Sequence, residues 1–321
     1  MSEFFIMIAA KLVQGFFGLP SWERADAWGV GLGRILWALG VRKKVILENM
    51  HQVYNSPETP DERRKTPEQI EALGRACMEN FAVAVVTYIR WRKLDDQFYN
   101  ERFEVEGAEY LDAAYAKGKG VLGIGGHLGA WELAMCKAGQ LGYPVGLIGK
   151  TLNSPYLTRE LDLFRTSNYM RNYAPKKSTE SIMAALAKNE MVVAIHDQNM
   201  KRKLGVFVPF LGRPASTTKS TAQFVKQTGC AVVAGYARRI APGRYWLIIK
   251  PGPDYVRCED ADEELLVNTK NYTQLIEDAI LEKPEDWFWL HRRWKRRPSD
   301  EEAATLERLG WPVDVPSKLE E

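Results

Sequence analysis

The stretch Val121-Leu122-Gly123-Ile124-Gly125-Gly126-His127-Leu128-Gly129-Ala130-Trp131-Glu132 decides how the remaining sequence is read. Its first four residues form a short apolar run of the kind that makes a buried strand. The glycines that follow predict a turn. Trp131 to Leu141 predicts a helix stopped by Gly142. Strand, Gly-rich turn and helix in that order define an α/β unit, and in open α/β sheets ligands bind where strands end and helices begin. His127 sits at that point.

Five residues separate His127 from Glu132. In an unbroken helix that step turns the chain by roughly 500°, so the two side chains would diverge by about 140°. They can meet only if the chain bends between them, and Gly129 permits the bend. Glu132 then falls in the first helical turn, where a carboxylate is favoured by the helix dipole. The expectation is that Glu132 accepts the proton on one ring nitrogen of His127 and leaves the other basic. A His–carboxylate pair with no adjacent nucleophile is equipment for activating a substrate hydroxyl against an activated acyl carbonyl. Backbone N–H groups at Gly126 and Gly129 are expected to form the turn that holds the oxyanion. No G-x-S-x-G nucleophile elbow is present, which argues against an α/β-hydrolase. The glycines do not give G-x-G-x-x-G, which argues against a dinucleotide site.

Outward from this stretch the pattern alternates. Strands are expected at Phe103–Glu106, Pro144–Ile148, Met191–His196, Val206–Val208, Cys230–Ala237 and Tyr245–Lys250, and helices at Ala108–Ala116, Thr179–Lys188 and Thr217–Gln227. That predicts an α/β fold with a central, mostly parallel or mixed sheet flanked by helices. Glu68 to Arg90 shows apolar residues at helical spacing.

At the N-terminus, Phe4 to Leu19 is apolar but short, with Lys11 in its middle. A spanning helix needs about 20 apolar residues, and a central Lys costs roughly 2.5–3.5 kcal/mol on insertion scales. After Pro20, Ala25 to Val41 reads as a second helix in which Gly29, Gly31 and Gly33 permit close packing, closed by Arg42, Lys43 and Lys44. Together they read as a helical, membrane-associating hairpin with a basic rim toward anionic lipid. The predicted organisation is a membrane-associating segment over 1–45, the α/β domain over 46–298 and a polar tail over 299–321.

Composition excludes several classes. With 45% hydrophobic and 26% charged residues the chain is globular, and a net charge of +3 does not by itself imply nucleic acid. Four dispersed cysteines and four histidines offer neither a disulfide framework nor metal-ligand spacing, so no metal is expected. Around the rim, Lys150 and Arg165 are candidates to hold an acceptor phosphate. Asn153 is read as orienting a sugar hydroxyl or capping a helix. Asp197 and Gln198, at the end of a strand, are candidate acceptor contacts. Ser216, Thr217 and Thr218 precede the helix expected at 217–227 and suit an anion site or an N-cap. His196 reads as structural. The run His291-Arg292-Arg293-Trp294-Lys295-Arg296-Arg297 suits anionic lipid or an acidic carrier protein.

The block GGHLGAWE resembles the catalytic H-x4-D/E signature of the lysophospholipid acyltransferase superfamily, and within it the bacterial lipid A late acyltransferases (lauroyl/myristoyl acyltransferases). RKKVILENM, the Gly107–Glu132 stretch, Lys150-Thr151-Leu152-Asn153-Ser154-Pro155, HDQN, VFVPFLGRPASTTKST and WFWLHRRWKRRP are similar to further blocks of that family in the same order. Lys150 stands where an Arg is usual, and Asp197-Gln198 where several members have Asp-x-Asp. The resemblance implies an O-acyltransferase that uses an acyl-carrier-protein or CoA thioester as co-substrate and no other cofactor. It implies a glycolipid acceptor such as a lipid A precursor, and work at the cytoplasmic face of the inner membrane. The related mannoside acyltransferases share the superfamily block. A lipid-binding protein without catalysis, or a nucleic-acid-binding protein, are the readings from other classes.

Overall fold

The computed structural model describes residues 3–56, 59–148, 152–173 and 178–313. Four helices lead in: α1 (Glu3–Gly18), α2 (Trp22–Ala38), α3 (Lys43–Tyr54) and α4 (Pro67–Ile89). The α/β part follows as α5 (Asp96–Arg102), β1 (Phe103–Glu106), α6 (Ala108–Ala116), β2 (Val121–Gly125), α7 (Trp131–Gln140), β3 (Val145–Ile148), α8 (Pro155–Ser167), β4 (Met170–Tyr173), α9 (Ser178–Ala187) and β5 (Met191–Ile195). It closes with β6 (Gly205–Phe210), β7 (Arg213–Thr218), α10 (Ser220–Thr228), β8 (Ala231–Ala241), β9 (Arg244–Pro251), α11 (Ala261–Glu282) and α12 (Asp300–Arg308).

Seven strands form one sheet in the order β1-β9-β8-β2-β5-β3-β4. The five from β8 to β4 run parallel, while β9 pairs antiparallel with β8 and carries β1 parallel to itself. Both faces are covered, as a parallel sheet requires. Leu122, Ile124 and Val192 face a layer that includes Ile70, Ala185, Phe224 and Ile276 from α4, α9, α10 and α11. Val121, Val233 and Leu247 face Leu111, Leu133, Ala134 and Phe164 from α6, α7 and α8. The connection out of β2 runs through α7 on this second face, whereas the connection into β5 runs through α9 on the first. The chain therefore diverges between β2 and β5, which opens a crevice at their carboxyl ends.

The expected elements from Phe103 to Lys250 are present with one correction. Residues 217–218 do not begin a helix; they end β7, which pairs antiparallel with β6 over Gly205–Thr218. Ser216 and Thr217 are fully buried there, so neither is an N-cap or an anion site. The hairpin turns at Leu211 and Gly212, both at positive φ. The Leu211 amide donates to Glu277 Oε2 on α11 at 2.7 Å, which holds a conformation that a leucine rarely adopts.

The lead-in helices are unlike one another. Helix α2 packs on α4, and side chains at Gly29 and Gly33 would run into the α4 backbone at Val83 and Glu79; Gly31 faces open space. Asp26, buried on α2, takes a bidentate pair from Arg239 on β8. Helix α1 has no buried residue: Phe4, Phe5, Leu12 and Phe16 are each more than half exposed. It is held by Phe16 stacked on Trp28, by Glu3 accepting from Ser154, and by Gln14 donating to Glu160 on α8. Among the described residues, no helix is long and apolar enough to cross a membrane.

Candidate active site

The parallel register of β2 and β5 pairs Gly125 with Ile195. His127 and Asp197 each lie two residues beyond that pair, so the two strands deliver them to the same level at the crevice. The contact follows: His127 Nδ1 lies 2.9 Å from Asp197 Oδ1, and the His127 amide donates to Asp197 Oδ2 at 2.6 Å. Trp287 Nε1 donates to the same oxygen at 2.8 Å. Gly126 is needed at this junction, because a side chain there would press on the Asp197 carboxylate and on Ile276.

Asp197 is almost wholly buried and His127 about one-fifth exposed, so the pair points one ring edge outward. Burial opposes charge on the imidazole. The Asp197 carboxylate, through its charge and its hydrogen bond, outweighs this and holds the His127 pKa above the ordinary histidine value, with a smaller contribution from Glu132. Burial likewise opposes charge on Asp197, and His127 together with the two N–H donors keeps it ionised. With a proton on Nδ1 facing Asp197, the basic lone pair sits on Nε2. Nε2 lies 3.2 Å from Gln198 Nε2 on the open side. Trp131 and Phe288 flank the ring edge-on and tilted at 5.1 and 5.7 Å.

Glu132 has a different partner from the one expected. The bend at Gly129 exists (φ 53°), but the turn is pinned by Gly129 donating to Asp286 O and Ala130 to Ala237 O, and α7 starts facing α8. The Glu132 carboxylate receives Arg165 Nη2 at 2.6 Å and Nε at 3.1 Å, and its amide donates to Tyr88 Oη at 3.2 Å. Both residues are buried. Glu132 and Arg165 are thus a bidentate pair locking α7 to α8, and Glu132 reaches His127 only through its field. Asp197, expected as an acceptor contact, is instead the hydrogen-bonded partner of His127.

Two strand-end residues and an aromatic clamp thus meet at a switch point, and comparison with known proteins gives the family. The family model described as bacterial lipid A biosynthesis acyltransferase matches residues 4–296. The chain belongs to this family. Relatives include the lipid A biosynthesis lauroyltransferase of Escherichia coli, 25% identical over 272 residues, covering 84% of this chain and 85% of that protein. The palmitoleoyltransferase of the same organism is 25% identical over 267 residues, 81% of each chain. A phosphatidylinositol mannoside acyltransferase of Mycobacterium tuberculosis is 24% identical over 241 residues, 74% of this chain and 72% of that one. The protein is an acyltransferase.

The other expected residues of the acyltransferase fall into distinct places. Lys150 lies outside the described residues. Asn153 is exposed at the rim, and the cap of α8 is Ser154, whose hydroxyl accepts from Leu157 N. Arg165 gives Nε and Nη2 to Glu132, and its third nitrogen, Nη1, is buried without a hydrogen-bond partner. The turn amides from 127 to 130 are all engaged, by Asp197, Gly126 O, Asp286 O and Ala237 O, so Gly129 does not present a free oxyanion donor. His196 is buried, with Nδ1 3.3 Å from the Thr273 hydroxyl, and burial drives its pKa down to about 4. His291 Nε2 accepts from Asn199 N at 3.0 Å. Among the described residues no cluster could hold a metal.

The C-terminal segment was not legible as part of the site. Trp287, Trp289 and Arg293 are buried to 1% or less, while Arg292, Lys295, Arg296 and Arg297 remain exposed. Leu128 bridges to Trp287, and Phe288 N donates to His127 O. Asn49 on α3 holds the carbonyls of Trp289 and His291. One signal was available: a strict Trp-x-Trp alternation after a helix marks a segment with an inward face.

Proposed function

We propose that the protein moves a fatty acyl chain from an acyl thioester to a hydroxyl of a lipid A precursor or a similar glycolipid, with His127 as general base and Asp197 as the carboxylate that orients and charges it. The observation that carries this is the Asp197–His127 pair with its basic nitrogen turned to the crevice. The acceptor hydroxyl gives its proton to Nε2 as its oxygen attacks the thioester carbonyl. Collapse of the tetrahedral intermediate breaks the C–S bond, and the imidazolium returns the proton to the departing sulfur. No acyl-enzyme is required.

Two further features bear on a lipid reaction. On the α6/α7 face of the sheet, Gly123 and Gly235 carry no side chains and line a small apolar cavity walled by Leu111, Ala134, Met135, Met191 and Val193. Its volume of about 40 Å³ is well short of a fatty acyl chain, so a chain would enter only as the wall side chains move aside. Helix α1 offers an exposed apolar face beside α8, suited to lying in the interface plane of a membrane, and the exposed cations at 292 and 295–297 suit anionic lipid or an acidic acyl-carrier protein. The cytoplasmic face of the inner membrane is the site of action this reading assigns. The mannoside relatives make a mannosylated lipid the second acceptor to try.

The test is a thioester-consumption and product assay with acyl-carrier-protein and CoA donors and a lipid A precursor in mixed micelles. Acceptor-dependent acylation is expected, reduced by about 10²–10⁴-fold in His127→Ala. Transfer that survives in His127→Ala would sink the reading.

A further inference from the structure

The basic nitrogen of His127 is not open. Gln198 Nε2 stands 3.2 Å from it, and an amide N–H donates there to the lone pair that would accept the substrate proton. Gln198 itself is exposed, so burial does not force its side chain into that position. Its backbone, by contrast, is strapped. Arg293 Nη1 donates to Gln198 O at 3.2 Å and to Ser216 O at 2.7 Å, and Nη2 reaches the Thr217 hydroxyl at 2.5 Å. Asn199 N is fixed by His291, and Met200 and Ser216 exchange two hydrogen bonds. Arg293 is fully buried and lies 4.7 Å over the Phe210 ring, so a charged group has been taken out of water to serve these backbone oxygens. A rigid backbone carrying a free side chain over a reactive atom is the geometry of a cover.

We propose that the Gln198 carboxamide occupies the acceptor hydroxyl's place on His127 and is exchanged for it on binding, and that Arg293 is the positioning residue that aims it. The proposal rests on the reading of His127 as the base. Its chemical consequence is protection of the donor. An uncovered Nε2 would activate water. The water oxygen would bond to the thioester carbon as the C–S bond broke, its proton passing through His127 to the leaving sulfur, and the acyl group would be lost as free acid. The amide keeps water from that position until the acceptor's hydroxyl displaces it.

The experiment is acyl-CoA hydrolysis without acceptor, by wild type, Gln198→Ala, Gln198→Ser, Arg293→Lys and the double variant His127→Ala/Gln198→Ala, each checked for an unchanged melting curve. The expected result is a several-fold rise in hydrolysis in both Gln198 variants and a smaller rise in Arg293→Lys, with a lower KM for the acceptor in Gln198→Ala. Hydrolysis in the double variant should return to background. If it does not, His127 is not the base and the underlying reading fails. If His127 proves essential yet the Gln198 variants hydrolyse no faster than wild type, the cover is overturned. Nitrogen NMR of labelled histidine gives a readout independent of turnover. Donation to Nε2 favours the neutral ring, so Gln198→Ala is expected to raise the His127 pKa, and a fall would show the amide facing the other way.

Discussion

Helix α1 and the segment from Pro284 to Arg297 share a composition and little else. Both are rich in aromatic residues, both carry cations, and both suit a membrane surface when read as sequence. In the folded chain, α1 buries none of its side chains, whereas the C-terminal segment drives Trp287, Trp289 and Arg293 into the core beneath the Asp197–His127 pair. The difference lies in partners. Carbonyls at 285, 287, 289 and 291 receive Asn80, Cys77 and Asn49 from α3 and α4, while α1 is tied mainly by polar contacts at its ends and one stacked pair. Aromatic content marks a boundary or a core equally well, and the available hydrogen-bonding neighbours decide between them.

The strongest way to break this contrast is through the residue the C-terminal segment supports. Asp197→Asn is expected to lower kcat by about 10²–10⁴-fold, since the ring loses its orienting charge. It also moves the acid limb of the pH–rate profile. The base must be neutral, so the rate rises with pH through a His127 pKa held above 6.5, and removing the carboxylate shifts that limb to lower pH. A limb that stays in place would detach Asp197 from His127. The same pair affects stability with opposite signs. The His127 part is fully present below its unfolded pKa and is lost as pH rises through the raised folded value. The Asp197 part is present above about 3.8 and is lost in acid.

Next in size, Trp287→Ala should cost about 3–5 kcal/mol in urea unfolding. Trp287→Phe should cost about 1–3 kcal/mol, the worth of one buried bond to a charged acceptor. Equal costs for the two variants would mean that the indole N–H is immaterial.

Glu277 gives a smaller effect of the opposite sign. Burial pushes its pKa up to about 7, against 4.5 in the unfolded chain, so the folded protein prefers the protonated acid and loses stability as pH rises between those values. Glu277→Gln keeps an acceptor for Leu211 N and should raise stability by about 1–2 kcal/mol at pH 8, with little change at pH 4.5. Destabilisation at pH 8 would show that the ionised form is the one the hairpin needs.

Smallest of all in stability is Phe4→Ser/Phe5→Ser on α1, expected to stay within about 0.5 kcal/mol of wild type while vesicle co-sedimentation falls sharply. A cooperative loss of folding there would erase the contrast between the two ends.

These contrasts also show where sequence reading stopped. The strand–turn–helix around His127 was legible because each step is local: apolar run, glycines, then helical spacing. Asp197 was legible as the end of a strand but not as the partner of His127, because which strands are neighbours is a long-range fact. Spacing along one segment favoured Glu132, five positions from His127, over a residue 70 positions away. Arg165 was misjudged for the same reason, since its pairing with Glu132 depends on α8 crossing α7. The hairpin strand β7 was mistaken for a helix start because Ser216-Thr217-Thr218 imitates a cap, and the turn that reveals it requires a leucine at positive φ.

The hydrogen bond from Trp287 to Asp197 has a consequence for synthesis. His127 and Asp197 leave the ribosome well before Trp287, whose indole reaches Asp197 from 90 residues further along the chain. A nascent chain that already carries His127 and Asp197 would therefore hold the pair without its indole donor until 90 more residues are made. The order in which residues are made thus sets when the Asp197 carboxylate gains its last buried donor.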